Sequence, residues 1–254
     1  DDSIHDSIGN PLGGTGADNG TFTDAETYVI DKTPPRVISF LRTGVNPTST
    51  TQVTYMLTFS EAVDGFDRSD LKVESDEIIA ASINSINGSG ASYTVTVNTG
   101  MGDGALRLQL IDDDSIHDIL SNPLEVSDLT KFSETYVIDK KPPESSVVAP
   151  KGQMYSKSFD LTWEAEDMPL GSFASGLRSI LLYERINEGP DLLVDIFSGE
   201  TRGTTYEIDT SSQTVIRFYT VAIDMAGNVE AKPTQPDVFV YYNGSAVDSW
   251  LLYE

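Results

Sequence analysis

The residues here that could do chemistry are carboxylates. Of 254 residues, 40 are Asp or Glu against 16 Lys or Arg, so the formal charge is −24, with two histidines and no cysteine. The densest acidic run is Asp112, Asp113 and Asp114, with Asp118 close behind. In a β-sandwich strand order this run follows the sixth strand. It then shares one end of the domain with the loop after the second strand, which carries Glu61 and Asp64, and with an incoming linker that carries Asp31. A second junction repeats the arrangement with Asp139 from the next linker, with Glu164, Glu166 and Asp167 after an early strand, and with Asp224 in a later turn. Hard oxygen donors in such numbers suit Ca²⁺, which takes six to eight oxygens at about 2.3–2.6 Å. Without a cation the carboxylates would repel one another. The expected metal ligands are therefore Asp31, Glu61, Asp64, Asp112, Asp113, Asp114, Asp118, Asp139, Asp167 and Asp224.

Blander readings compete with this one. Acid-rich loops are commonly only solvated, and Asp and Asn are ordinary turn formers. Asp67 and Asp70 read as turn caps. The acidic run lacks the glycine and terminal glutamate offsets of an EF-hand. His5 and His117 lie a module apart, too far for the three or four N/S ligands of a zinc site, and read as loop residues. No nucleophile elbow, phosphate loop or His-Glu-x-x-His motif appears, so no enzymatic activity is expected. Asn19-Gly20, Asn87-Gly88 and Asn243-Gly244 fit a glycosylation pattern, but read better as turns. Trp163, on an alternating face, reads as a core residue, and Tyr241, Tyr242 and Trp250 read as the exposed aromatics.

The elements that must position the acids are legible from a repeat. Asp1 to Asp6, Asn10-Pro11-Leu12 and Thr27 to Lys32 with Pro34-Pro35 recur as Asp113 to Asp118, Asn122-Pro123-Leu124 and Thr135 to Lys140 with Pro142-Pro143. The first halves are offset by 112 residues and the second by 108, so only the loop between them changes length. The spacing implies one module per roughly 100 residues, a common sandwich size. Residues 1–35 read as the C-terminal remnant of a preceding repeat plus linker, with a strand from Glu26 to Asp31. Residues 36–143 read as one complete repeat, 144–242 as a second module of different sequence, and 243–254 as a tail. Proline stiffens the links by fixing φ and restricting the residue before it.

Within 36–143, Val53, Tyr55, Leu57 and Phe59 alternate with Thr54, Met56 and Thr58. Tyr93, Val95 and Val97 repeat the pattern, as do Leu106, Leu108 and Leu110. Period-two runs with turn signals between them predict short antiparallel strands near 36–42, 52–60, 70–75, 78–86, 92–98, 105–111 and 134–139. In the next module Phe159, Leu161 and Trp163 share a face, and Val215 to Ile223 is apolar on both faces, as suits a central strand. The fold class expected is all-β: tandem antiparallel immunoglobulin-like sandwiches of about seven strands each.

The stretch Leu57 to Gly65, Asp70-Leu71, Tyr93 to Val97, Gly102-Asp103-Gly104, the Asp112 to Asp118 run and Ile138-Asp139 before Pro142-Pro143 resemble bacterial immunoglobulin-like (Big-type) repeats of large secreted and surface adhesin-like proteins. Gly9-Asn10-Pro11-Leu12 matches the same repeat, whereas the second copy has Ser121 in place of the glycine. Trp163, Ser175-Gly176 and Tyr219 to Asn228 with Glu230 resemble a fibronectin-III-like module. The resemblance implies a spacer, adhesive or accessory role outside the cell or at its surface, with neighbouring repeats, and a surface glycan or protein, as partners. The alternative is an accessory or carbohydrate-binding array of a secreted hydrolase. The charge argues against nucleic acid, since nothing here would neutralise phosphates, and no apolar run is long enough to insert in a membrane.

Overall fold

The computed structural model describes residues 4–14, 25–125, 131–167 and 173–244. The chain divides into two units, Asp1–Thr33 and Pro34–Glu254. In the first unit His5 bridges Pro11 across a tight turn closed by Asp6 and Asn10. Residues 26–31 form no strand there, contrary to expectation. Their counterparts at Tyr136–Ile138 pair with a neighbouring strand, and no described residue of Asp1–Thr33 offers one.

Among its described residues the second unit is all-β, with a single 3₁₀ turn at Arg68–Asp70. Its first sandwich comprises β1 (Val37–Arg42), β2 (Gln52–Val63), β3 (Leu71–Asp76), β4 (Ser82–Asn98), β5 (Gly104–Leu110) and β6 (Tyr136–Ile138). One sheet has the order β1-β2-β4 and the other β3-β5-β6. Strand alternation directs Val53, Tyr55, Leu57 and Phe59 inward from β2, and Leu106, Leu108 and Leu110 inward from β5, all within one buried cluster. Each such side chain contributes about 1.5–3 kcal/mol by leaving water. Buried tyrosines also fasten the sandwich: Tyr55 donates to the Leu106 carbonyl, and Tyr136 donates to that of Thr54 while accepting the Gly44 N–H.

β4 is continuous by backbone pairing but not straight. Ile79 pairs with Met101, and a Cβ on Gly88 would lie 2.3 Å from the Ser92 carbonyl. Both pairs obey one antiparallel register, so the run doubles back around Gly90 (φ 64°). Glycines 88 and 90 take the positive φ values and Asn87 does not, which moves the turn beyond the expected Asn87-Gly88 dipeptide. With the two limbs counted separately the sheets read A-B-E-D and C-F-G, an immunoglobulin arrangement.

The second sandwich comprises β7 (Glu144–Val148), β8 (Gln153–Met154), β9 (Ser158–Glu166), β10 (Leu177–Ile186), β11 (Asp191–Ser198), β12 (Gly203–Glu207), β13 (Thr214–Asp224) and β14 (Val238–Tyr242). Its sheets are β12-β9-β7 and β11-β10-β13-β14-β8. The central β13 is mostly buried along its length. Trp163 is in the core, its ring N–H donating to the Thr201 carbonyl. Tyr242 is also a core residue, at 2% exposure, which corrects the expectation that it is exposed. Inward positions on β14 alternate, so Val240 and Tyr242 are buried while Phe239 and Tyr241 face out. Trp250 lies outside the described residues.

Two carboxylates close the seam between the sheets. Glu230 accepts from the Ser145 N–H and hydroxyl of β7 and from the Ala222 N–H of β13. Asp237 accepts from Val147 of β7 and Thr220 of β13. The segment between β13 and β14 thus satisfies alternate donors on two strands that do not pair with each other. Burial pushes the Asp237 carboxyl up, and those N–H groups pull it back down.

Candidate functional site

One acid-holding turn occurs three times among the described residues. Asp6, Asp118 and Asp224 each accept the backbone N–H of the asparagine four residues on, at 2.9, 2.8 and 2.8 Å, and its side-chain amide, at 2.7 Å in every case. The residue before each asparagine has positive φ: Gly9 at 85°, Ser121 at 66° and Gly227 at 93°. Ser121 therefore adopts the glycine conformation that its side chain disfavours. The turn recurs in the second sandwich as well as in the two repeat copies. That recurrence escapes a repeat search, because only Asp and Asn are common to all three. The Asn122 amide holds Asp118 below the usual carboxylate range.

At the junction of the two sandwiches, the linker's Asp139, Asp167 at the end of β9 and Asp224 at the end of β13 each place a carboxylate oxygen within 4.8 Å of the others. Asp139 and Asp224 are fully buried. Asp139 accepts from the Ser175 N–H at 2.8 Å and the Lys141 N–H at 3.2 Å. Asp167 Oδ2 accepts from the Gly176 N–H and the Ser175 hydroxyl, while its Oδ1 is buried with no hydrogen-bond partner. Among the described residues, none of the seven ion pairs includes any of the three acids. Burial, followed by repulsion from Asp139 and Asp224, pushes the Asp167 carboxyl up. The same turn also clamps the linker: Asn228 donates to the Asp139 carbonyl and Ser49 of the first sandwich donates to that of Ala226.

Glu164 and Glu166 stand apart from this cluster. Period two on β9 buries Trp163 and Ala165 and turns both glutamates to solvent.

The other expected ligands divide into separate groups. Glu61 and Asp118 bring carboxylate oxygens within 4.8 Å of each other, the first sandwich's counterpart of Asp167 and Asp224. Asp112 and Asp113 gather with Asp70. Burial comes first among the causes that push Asp112 up, and Asp70 adds to it. Asp114, at φ 70°, uses its N–H on Asp112 and joins no cluster among the described residues. Asp64 pairs with His117 through the backbone and also joins none. Asp31 accepts the N–H of Thr33.

Asp70 caps its 3₁₀ turn reciprocally with Asp67, as read from sequence, yet it is also the buried member of the Asp112 group. No sequence spacing points to that. The pairing of Leu71 with Leu110 brings the two segments together, with Ile111 N–H donating to the Asp70 carbonyl.

Two sandwiches of these strand orders, with acids gathered at their ends, define a tandem of immunoglobulin-like domains. No protein-family model and no curated protein matches the sequence. Solved structures similar to it include a three-domain segment of titin, 14% identical over 82% of this chain and 65% of that one, with a TM-score of 0.39. The FN1–FN3 domains of chicken CNTN1 are 14% identical over 84% and 67%, at 0.36. The adhesin InvE of Yersinia pseudotuberculosis is 13% identical over 81% and 58%, at 0.28. The chain thus spans just over half of the InvE structure, and at these scores the fold assignment rests on its own topology.

Proposed function

We propose that this chain is a non-catalytic structural segment of an extracellular or cell-surface array, an adhesion spacer whose sandwich junction holds Ca²⁺. The observation that carries the reading is the gathering of Asp139, Asp167 and Asp224 with a buried, unpartnered oxygen and, among the described residues, no ion-pair partner. A cation would supply the missing charge, and hard carboxylate oxygens favour Ca²⁺ over softer metals. Linker, end of β9 and end of β13 would then share one ion, so bending at the junction would have to break ligand bonds. The resemblance of the first sandwich to bacterial immunoglobulin-like repeats supports the spacer role. Among the described residues no helix is long and apolar enough to cross a membrane.

The test is a calorimetric scan in EDTA and in millimolar Ca²⁺. A ligand at a hundredfold its Kd adds about 2.7 kcal/mol, which for this chain length shifts the melting temperature by roughly 5–10 °C. An identical scan under both conditions would end the metal reading.

A further inference from the structure

β11 is the outermost strand of the five-stranded sheet, and its far edge meets no strand among the described residues. Such an edge presents an open ladder of N–H and C=O groups, which proteins usually blunt. Five other edge strands among the described residues follow that rule. β8 is two residues long and β6 three. Glu230 and Asp237 occupy donors of β7. β1 is flanked by Arg36 and ends on Arg42, and β3 carries Lys72, Glu74 and Asp76.

β11 is blunted only in part: it carries Asp191 and Asp195, Asp195 accepts the Ile196 N–H, and a bulge lies where Leu182 opposes Asp195 and Tyr183 opposes Leu193. It is eight residues long without Pro, Lys or Arg. Leu192, Leu193, Val194 and Ile196 are 50%, 47%, 37% and 57% exposed. The pairing with β10 resumes on both sides of the bulge, so β11 stays extended there, and of its backbone donors the Ile196 N–H is held by the Asp195 carboxylate.

Charge narrows the partner. Residues 186–201 contain four acids and no cation. Asp191 is matched by Arg185 and Lys232, and Glu188 by Arg217. Asp195 and Glu200 are exposed and take part in no ion pair among the described residues. A second copy would bring the same unmatched acids to the same edge on a chain of charge −24.

We propose that β11 is an acceptor edge for an extended, basic polypeptide strand of another protein. The open ladder requires an extended strand. The exposed leucines, valine and isoleucine select apolar side chains at alternate positions, and Asp195 and Glu200 select Lys or Arg between them.

The probe is a capped Lys-Val-Lys-Val-Lys-Val-Lys peptide, with Glu-Val-Glu-Val-Glu-Val-Glu as control, titrated into the isotope-labelled chain and followed by amide NMR. The expected result is saturable perturbation centred on residues 191–198 by the basic peptide alone. Two variants at exposed positions, Leu193→Lys with Ile196→Lys and Asp195→Lys with Glu200→Lys, should each weaken it at least tenfold while the melting temperature stays within about 2 °C of the parent. The proposal is overturned by absence of binding, by equal binding of the acidic peptide, by perturbation elsewhere, or by full affinity in either variant. Light scattering that shows a dimer dissolved by Leu193→Lys with Ile196→Lys would assign the edge to a second copy instead and overturn it as well.

Discussion

Ser121 carries the residue-scale lesson. Two of the three Asp-x-x-x-Asn turns place glycine at the left-handed position, and the third places serine there at φ 66°. A non-glycine residue in that region costs about 1–2 kcal/mol, and glycine in turn loses more freedom on folding. Ser121→Gly should therefore raise unfolding stability by about 0.5–1 kcal/mol, read as an increased urea midpoint at constant slope. Asp191 offers a second test. Hydrogen bonds from Arg185 and then Lys232 hold its carboxyl below the usual range. A folded pKa below the unfolded one gives stability that is present above the unfolded value of about 3.9 and is lost as pH falls through that region. Asp191→Asn should thus melt below the parent at pH 6, with the gap narrowing below about pH 4. A gap independent of pH would show that packing, not charge, sets the difference.

At the scale of elements, the seam between β7 and β13 is the informative feature. These strands belong to different sheets, and Glu230 and Asp237 join them by accepting from Ser145, Ala222, Val147 and Thr220. Removing one acceptor strands donors that water reaches poorly, at about 1–3 kcal/mol. Glu230→Ala should lose that much in chemical denaturation, and Glu230→Gln should lose less, because its remaining carbonyl oxygen still accepts. Faster amide exchange at Ser145 and Ala222 in the alanine variant would locate the loss at the seam. Alternation explains why the strands themselves were legible: Tyr55, Leu57, Leu108 and Trp163 each occupy the position that period two assigns them. The seam was not legible, because a lone Glu or Asp in a loop looks like solvated charge until the strands it bridges are known.

At the scale of the whole molecule, the junction cluster sets the prediction. Asp167→Asn removes one of three crowded carboxylates, and its raised pKa shows that the charged form is disfavoured there. In EDTA this variant should melt above the parent. In millimolar Ca²⁺ it should show little of the parent's response, since a ligand is gone. A variant that is less stable in EDTA and still calcium-responsive would mean that Asp167 serves only as a hydrogen-bond acceptor.

The sequence by itself determined the all-β class, the strand periods and the placing of acids at the module ends. These follow from local alternation and from a repeat that needs no three-dimensional information. Only the tertiary structure decided which acids meet. Asp139, Asp167 and Asp224 come together because β9, β13 and the linker end at one place. Asp70 joins Asp112 because β3 pairs with β5. Glu164 and Glu166 are excluded by a single step of strand alternation. Contacts between residues tens of positions apart depend on register, and one residue of slip sends a carboxylate from the cluster to the solvent.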